Sequence, residues 1–501
     1  MAHNYISVDR DQLYLLPPDM GQWLPEDHLA WFVIDVVEKI DTSILHKKHP
    51  NTGVGRPAYN PDMMLALLIY AYCTKVRSSR DIERLCRSDV AYRVLCADEI
   101  PDHSTISRFR VDFQDLAKKL FCDVLALAKE AGADSVGVVA IDGTKMAGNA
   151  SLKKNRTRLD IENQVAQMFA EAEKVDEEEN GLYGNKRGDE LPLELTERAT
   201  RKQALDRALR ALDEREAEEP TARQLRDRDD RIRSSRQREY RSLKRLRKEL
   251  AIARNRRKRQ QEQLAKGHKP SGKPLKDGHT EPTHVRKARS DYEANKARRK
   301  EFEKRSGKEQ SSEPKVNLTD PQSRIMHTAQ GTWIQGYNAQ AAVNEDGIVV
   351  GSFVCGEPND LNQFVPMITN IADNLAQSGI ENEIGVVIAD AGYHSENNLN
   401  AKGPDRLIAN SKAWKLKQKT PSNEPLPEGA TPTETNSHRL STKEGRSIYS
   451  KRQHMIESVF GHTKANKGFR QFLQRGIKAV SAEWDLMMTA HNIEKLYSRG
   501  K

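Results

Sequence analysis

The chain has 501 residues, of which 37% are hydrophobic and 31% are charged, enough for roughly three domains with a large solvated fraction. Five scattered cysteines without a CxxC pair argue against a disulfide framework or a zinc ribbon, and the longest apolar run, Met63–Cys73, is too short to cross a bilayer. Charged residues precede any apolar run at the N-terminus, so we expect a soluble, cytoplasmic protein with no signal peptide and no membrane partner.

The formal net charge of +10 is concentrated in one segment. Between Thr221 and Gln260 there are 17 basic and 5 acidic residues, a net charge of +12, so the rest of the chain carries about −2. A concentrated basic segment favours a polyanionic partner, most simply nucleic acid. The alternative is a solvated helix with surplus arginine.

Residues 1–130 have the pattern of a helical domain. Apolar residues recur with helical spacing in "LPEDHLAWFVIDVVEKI", where Pro25 fits the first turn, and Asn60 with Pro61 predicts the start of a second helix. Further helices are predicted in "SSRDIERLCRS", "DVAYRVLCADEIPD" and "HSTISRFRVDFQDLAKKLF". These three have the proportions of a helix-turn-helix, although any small helical bundle shows similar spacing.

In a helix-turn-helix the last helix enters the major groove of DNA. Ser104, Thr105, Ser107 and Arg108 would lie near the N-terminal end of that helix, and Arg108 or Arg110 would read base edges. These five residues are the predicted DNA contacts of the N-terminal domain.

The period changes in "SVGVVAIDGTKMAG", which begins at Ser135. Its apolar run predicts a buried strand that ends in Asp142 and Gly143. Asp-Gly is a common turn dipeptide, so a turn is one interpretation. The other is that the strand holds a carboxylate, with Gly143 leaving space for a metal ion or a DNA backbone.

Residues 155–316 are polar with a helical pattern and predict a long helical insertion. A thin apolar seam of Tyr240, Leu243, Leu246 and Leu250 runs between arginines, which favours a coiled-coil hairpin. The Gly-, Pro- and Lys-rich stretch at 266–282 predicts disorder.

Strand character resumes in "TWIQGYNAQAAVNEDGIVVGSFVC", a hairpin signature with Gly347 at the position that needs a positive φ. We expect Trp333 in the core. A helix is predicted in "LNQFVPMITNIADNLAQSG", a second buried strand in "EIGVVIADAGYHS" that ends in Asp390, and a short strand in "DRLIAN". A loop in "KTPSNEPLPEGATPTETNS" precedes two closing helices.

Two apolar strands thus each deliver a carboxylate, Asp142 and Asp390, and strand ends are where open sheets bind ligands. Paired carboxylates can hold hard divalent cations, and two such ions can clamp a phosphoryl group in transfer. Glu457 fits a third carboxylate from a covering helix, with Lys464 seven residues later on the same face. Each residue alone is better explained as a turn, a cap or a solvated position. Their joint order is specific to a ribonuclease H-like α/β fold, a mixed sheet with helices.

At these motifs the chain resembles a known family. "AIDGTKMAGNAS" and "VIADAGYHSENNL" resemble the two aspartate motifs of DDE-type insertion-sequence transposases, closest to the IS-five / IS-eleven-eighty-two type. "YSKRQHMIESVFGHTKANKGFRQFLQRG" resembles their Tyr-Arg-Glu-Lys signature at Tyr449, Arg452, Glu457 and Lys464. Four residues separate Arg452 from Glu457 where the signature has three, whereas Glu457 and Lys464 keep its gap of six. "LLPPDMGQWLPEDHLA", "GRPAYNPDMMLALLIYAY" and "PDHSTISRFR" are similar to the group's N-terminal domain.

The resemblance implies a domain order. Residues 1–130 would bind DNA, residues 131–154 and 317–501 would form the ribonuclease H-like catalytic domain, and residues 155–316 would be an inserted basic arm. The implied partners are double-stranded DNA, as the element's terminal inverted repeats and its target, and further copies of the chain, as a homodimer or larger assembly.

The resemblance also implies a mechanism. Asp142, Asp390 and Glu457 would be the catalytic residues and would hold two Mg²⁺ ions, with Mn²⁺ as a substitute. Lys464, Arg452 and Tyr449 would bind DNA. Two alternatives remain open: a DNA-binding derivative without catalysis, and a metal-dependent nuclease that cuts DNA without joining it.

Overall fold

A computed structural model describes residues 19–48, 58–164, 203, 205–214, 222–269, 282–309, 315–328, 331–410, 426 and 429–500. Within it the chain divides into two compact units, residues 1–155 together with 317–501, and residues 156–316. Most of the stretch predicted to be disordered, 270–281, lies outside the described residues.

The N-terminal part of the first unit is helical. Its helices are α1 (Leu29–Glu38), α2 (Ser43–Lys48), α3 (Pro61–Cys73), α4 (Ser79–Ser88), α5 (Val90–Leu95), α6 (His103–Phe113) and α7 (Ala117–Glu130). As predicted, Asn60 caps α3, accepting from the backbone N–H of Asp62 at 2.7 Å. Helix α1 begins at Leu29 with His28 as its N-cap, so Pro25 lies outside it.

Within the described residues, eight strands follow. They are β1 (Val138–Ala147), β2 (Asn155–Arg156), β3 (Val316–Asn317), β4 (Arg324–His327), β5 (Trp333–Asn344), β6 (Val349–Cys355), β7 (Val386–Ala389) and β8 (Asp405–Ile408). The main sheet has the order β4-β5-β1-β7-β8, and β6 also pairs with β5. β5 is antiparallel to β1, β4 and β6, whereas β1, β7 and β8 are parallel. This mixed sheet with flanking helices is consistent with a ribonuclease H-like catalytic domain.

The predicted β-hairpin is confirmed: β5 and β6 are joined by residues 345–348, and Gly347 has a φ of +77°. Strand β1 is longer than predicted, since it continues five residues past Asp142 and pairs with β5 as far as Ala147. Asp142 and Gly143 therefore lie within an extended strand, and the turn interpretation is wrong.

The remaining helices of this unit follow β6, β7 and β8. They will be called α10 (Phe364–Gln377), α11 (Glu396–Asn400), α12 (Pro432–Ser441), α13 (Lys443–Gly461) and α14 (Ile477–Arg499). Helix α12 lies in part where a loop was predicted. Its start signals were present in the sequence, because Thr431 and Glu434 form a capping box and Pro432 occupies the first helical position.

One hydrophobic core unites the N-terminal helices, the sheet and α14. Trp484 of α14 is fully buried and donates from Nε1 to the Gln340 carbonyl of β5 at 2.9 Å. Trp333, in contrast, is 61% exposed, so its predicted place in the core is wrong. Trp333 precedes Gly336, the last residue of β5 that pairs with β1, by three positions. Its ring contacts the ring of His327, and the two ring centroids are 4.9 Å apart.

The second unit contains two long helices, α8 (Ala222–Ala265) and α9 (Thr283–Glu309), which we call the helical hairpin. They run antiparallel, because Glu239 pairs with Arg299 and Arg245 pairs with Asp291. Their contact is apolar and consists of Leu246, Val285 and Ala288, with Leu250, Ala253 and Tyr292 packed against them. Tyr240, predicted in this seam, is 63% exposed. Residues 158–164 and 205–214 are also helical.

None of the helices in the described part of the chain is long and apolar enough to span a membrane.

Candidate active site

Two aspartates lie side by side where the parallel pairing of β1 with β7 ends. The last paired residues are Ile141 and Ala389, and the next residue on each strand is Asp142 or Asp390. Neighbouring strands are about 4.8 Å apart, and residues in register on parallel strands point to the same face. The structure thus brings the two predicted carboxylates together. Asp390 also has a cap role, since its Oδ1 accepts from the Gly392 N–H at 2.8 Å.

Asp142 is 18% exposed and is bound on two sides. Its Oδ1 accepts from the Gly143 N–H at 2.8 Å, and its Oδ2 accepts from Nη2 of Arg452 at 2.5 Å. Burial raises the pKa of Asp142 to about 7 against the lowering effect of Arg452, and the carboxylates of Asp390 and Asp360 raise it further. Burial is therefore the main cause of the raised pKa, and Arg452 offsets part of it.

Helix α13 lies over these strand ends and carries three predicted residues, Tyr449, Arg452 and Glu457. Burial lowers the pKa of Arg452, but the charges of Asp142, Tyr449, Asp390 and Glu457 outweigh it and the net pKa is raised. Burial also raises the pKa of Tyr449, and the same three carboxylates add to that effect. Arg452 thus lies within electrostatic reach of all three predicted acidic residues, although Glu457 itself is exposed.

Lys464 binds β1 just beyond Asp142. Its Nζ donates to Thr144 Oγ1 at 2.5 Å and to the Lys145 carbonyl at 2.8 Å. Burial lowers its pKa to about 8, and the charges of Lys145 and Arg470 add to this. The predicted shared face of Glu457 and Lys464 requires one continuous α-helix. Helix α13 instead ends at Gly461, and residues 462–466 form a π turn.

A fourth carboxylate, Asp360, was missed from the sequence. It lies between β6 and α10, and its Oδ1 accepts from Asn338, Gln340 and Lys145. A side chain at Gly143 would overlap Asp360 and Gln340, so the space that Gly143 leaves is filled by protein. A signal for this contact was available: Asn338 and Gln340 are polar residues two apart in a mostly apolar strand.

We call these residues together the strand-end cluster: Asp142, Asp360, Asp390, Tyr449, Arg452, Glu457 and Lys464. Among the described residues no three His, Cys, Asp or Glu side chains converge closely enough to hold a metal ion. The chemistry of the donors nevertheless fits a divalent cation, because they are hard carboxylate oxygens.

The residues predicted to contact DNA from α6 divide into exposed and buried ones. Ser107 and Arg108 are exposed. The hydroxyls of Ser104 and Thr105 bind the carboxylate of Asp102, which caps the helix, at 2.5 and 2.8 Å. Arg110 is only 9% exposed and donates to the Arg77 carbonyl, so its predicted role in reading bases is wrong: its guanidinium is committed inside the protein.

Two family models match the chain. Residues 18–112 match a family described as a transposase domain, and residues 418–497 match one described as a transposase DDE domain. These two matches support a DDE-type insertion-sequence transposase. The first match spans α1 to α6, and the second contains Tyr449, Arg452, Glu457 and Lys464 of this transposase.

The strands that carry Asp142 and Asp390 lie outside both matched segments. The placement of these two aspartates therefore comes from the fold of the transposase itself. No curated protein and no solved structure matches the chain. The more specific IS-five / IS-eleven-eighty-two assignment stays a prediction.

Proposed function

We propose that this transposase cuts DNA at the terminal inverted repeats of its element and joins the freed 3′ ends to target DNA. Asp142, Asp390 and Glu457 would hold the divalent ions, Mg²⁺ with Mn²⁺ as a substitute. The observation that carries the proposal is the meeting of Asp142 and Asp390 where the parallel pairing of β1 with β7 ends, with Asp142 bound by Arg452 of α13. When bound there, divalent ions supply an activated water and neutralise charge on the phosphate in transfer.

Asp142 must be ionised to bind a cation, and its burial, which raises its pKa to about 7, opposes that ionisation. Positive charge brought to the cluster favours the carboxylate form. Asp142 is therefore a group whose proton loss is coupled to occupation of the site.

Arg452 has a spare donor. Its Nη2 binds Asp142, but its buried Nε has no hydrogen-bond partner in the described part of the chain. Because Nε is enclosed by protein, the proposed phosphate contact is made by the exposed part of the Arg452 side chain, while Nη2 orients Asp142.

Lys464 supplies a second positive charge beside β1. Its bonds to Thr144 and Lys145 fix its ammonium close to Asp142. We propose that Lys464 and Arg452 position the DNA backbone beside Asp142, with Tyr449 as a further DNA contact. Such phosphate contacts orient DNA without selecting its sequence.

Recognition of the inverted repeats is proposed for α6, through Ser104, Thr105, Ser107 and Arg108 in a helix-turn-helix of α4 to α6. The helical hairpin would grip the DNA backbone with its exposed basic residues, as the net charge of +12 between Thr221 and Gln260 favours. Synapsis of two element ends would require a homodimer or larger assembly.

DNA binding without catalysis is the second candidate function. It is favoured by the exposure of Glu457 and by the absence, within the described residues, of three acidic side chains that converge on one point. A nuclease that cuts without joining is the third outcome that an experiment has to separate.

The test is a strand-transfer assay with a labelled duplex carrying the inverted repeats that flank the gene, a target plasmid and Mg²⁺. The proposal expects cleaved and joined products, both lost on EDTA addition and in Asp390→Asn. Cleavage without joined product would identify a nuclease. Specific binding with no cleavage in Mg²⁺ or Mn²⁺ would identify the non-catalytic binder.

A further inference from the structure

Lys464 is carried by the π turn at residues 462–466, which follows α13. Within the described residues its ammonium uses two of its three donors, on Thr144 Oγ1 and the Lys145 carbonyl of β1, so a third is available to a phosphate. The carbonyl of Lys464 accepts from Arg470 Nε at 3.1 Å. A lysine side chain is flexible, so the direction in which Lys464 presents its charge depends on how firmly the turn is held.

A buried ion pair joins the end of this turn to α14. Lys467, the residue directly after the turn, has a side chain only 3% exposed, and its Nζ lies 2.9 Å from Glu494 Oε2 of α14. The backbone N–H of Lys467 donates to the His462 carbonyl at 2.9 Å and closes the turn. Glu494 follows Ile493, a fully buried residue of the core. The side chain of Lys467 therefore fastens the turn to a helix that is itself packed in the core.

Two histidines border the ion pair without adding charge to it. His462 Nε2 lies 3.7 Å from Glu494 Oε2, and burial, together with neighbouring lysines, lowers the pKa of His462. His491 packs beside His462 with ring centroids 5.6 Å apart, and burial lowers the pKa of His491 to about 3. Both rings are largely uncharged at neutral pH, so Lys467 is the cation paired with Glu494.

Such a pair contributes more to position than to stability. The cost of removing two charges from water offsets their attraction, and apolar side chains of similar volume often replace a buried pair without loss of stability. The pair does require that the turn and α14 meet in one arrangement, because a misplaced charge would be buried alone. We infer that Lys467 and Glu494 are positioning residues that hold the π turn so that Lys464 presents its charge to a DNA phosphate. The inference rests on the proposed DNA contact of Lys464 and adds to it the residues that direct this contact.

Glu494→Gln separates this role from a simple effect of charge, because the two predict opposite changes in DNA binding. Loss of a negative charge alone favours binding of a polyanion such as DNA. Loss of the Lys464 contact weakens binding and makes the slope of log K against log salt concentration shallower by about 0.9, the share of one phosphate. The measurement is a titration of the full-length chain with a duplex that carries the terminal inverted repeat, in Ca²⁺ and at several salt concentrations.

We expect Lys464→Met, Lys467→Met and Glu494→Gln each to make the slope shallower by about 0.9, although Lys467 is too buried to touch DNA. In the Lys464→Met background, Lys467→Met should change the slope no further, because Lys467 acts through Lys464. Lys495→Met, which removes an exposed lysine next to Glu494, is the matched control and should keep the slope of the parent.

Two outcomes would overturn the inference, and they differ in what else they overturn. If Lys464→Met makes the slope shallower while Lys467→Met and Glu494→Gln keep the slope of the parent, the inference fails and the proposed function stands. If Lys464→Met itself keeps the slope of the parent, the proposed DNA contact of Lys464 fails together with the inference.

A double variant covers the case in which a single variant does not fold, because each single change leaves a buried charge without its partner. Lys467→Met combined with Glu494→Met removes both charges and keeps the side-chain volume. We expect this double variant to unfold at a urea concentration close to that of the parent and still to show the shallower slope. A slope equal to that of the parent in the folded double variant would overturn the inference, because packing alone would then hold the turn.

Discussion

Charged side chains have different roles in the strand-end cluster and in the helical hairpin. In the cluster, Asp142 is 18% and Arg452 12% exposed, so each group's charge is set by its neighbours. In the hairpin, Arg245 and Asp291 approach to 3.8 Å with side chains 62% and 46% exposed. Such surface pairs contribute little to stability, and in the proposed function the hairpin's charges act collectively on DNA. The comparison predicts discrete, chemical effects of mutation in the cluster and graded, salt-dependent effects in the hairpin.

The largest effect is expected from the cluster. Asp390→Asn should reduce the rate of DNA cleavage by about 10³-fold or more, because loss of a metal-holding carboxylate removes several kcal/mol of charge stabilisation. DNA affinity should stay within about twofold, since Asp390 makes no favourable contact with phosphate. Single-turnover cleavage and a binding assay in Ca²⁺ measure the two quantities.

Asp373→Asn on α10 is the matched control and should cleave like the parent. Retention of a tenth or more of the cleavage rate by Asp390→Asn would remove Asp390 from the metal site. The strand-end cluster would then respond to loss of one charge as weakly as we expect of the exposed charges in the helical hairpin.

The second-largest effect is expected when basic side chains of the helical hairpin are neutralised. We expect weaker DNA binding at low salt when four exposed residues become Gln: Arg241, Lys244, Arg247 and Lys248. The slope of log K against log salt concentration should become shallower by up to about 3.6. The charge-conserving variant, in which each Arg becomes Lys and each Lys becomes Arg, is the control. An unchanged slope would mean that this face of the hairpin does not touch DNA.

A pH-dependent effect should separate the cluster from the hairpin in the absence of metal. The pKa of Asp142 is raised from 3.8 to about 7 on folding, so its contribution to stability is full below about pH 4 and is lost as pH rises through 7. Asn at this position stays uncharged. The free energy of unfolding of Asp142→Asn relative to the parent should therefore increase between pH 4 and pH 8.

Urea unfolding in EDTA across this pH range measures the difference, which we expect to reach a few kcal/mol at pH 8. Asp373→Asn again controls for the loss of one carboxylate. A difference that is flat with pH would show that Asp142 is ionised throughout and that Arg452 alone balances it.

The sequence predicted the parts of the site that follow from local periodicity. Two apolar runs that end in aspartate, in strands expected to be parallel, were enough to place Asp142 beside Asp390. The rest depended on contacts between distant residues. Asp360 is held by Lys145, which precedes it by 215 positions, and no periodic pattern marks a loop carboxylate. Strand β1 was underestimated because beyond Asp142 it pairs only with β5 and so tolerates polar residues.

Helix α6, in contrast, carries a local signal. Arg108 is exposed and Arg110 is buried against the Arg77 carbonyl, although both were predicted DNA contacts. Ile106, Phe109 and Phe113 recur with helical spacing and mark the buried face of α6, and Arg110 falls on that face, so its burial could have been predicted from the sequence.

The smallest predicted effect uses this pair. Arg110→Gln should lower the free energy of unfolding by about 1–3 kcal/mol, because the Arg77 carbonyl loses a charged donor. Arg108→Gln should change stability by less than about 0.5 kcal/mol but weaken binding to the inverted repeats by about 1–3 kcal/mol. Urea unfolding and a binding assay against repeat and scrambled DNA measure both. If Arg108→Gln weakens binding to both DNAs equally, Arg108 contacts the backbone, and α6 then resembles the hairpin more than a sequence-reading helix.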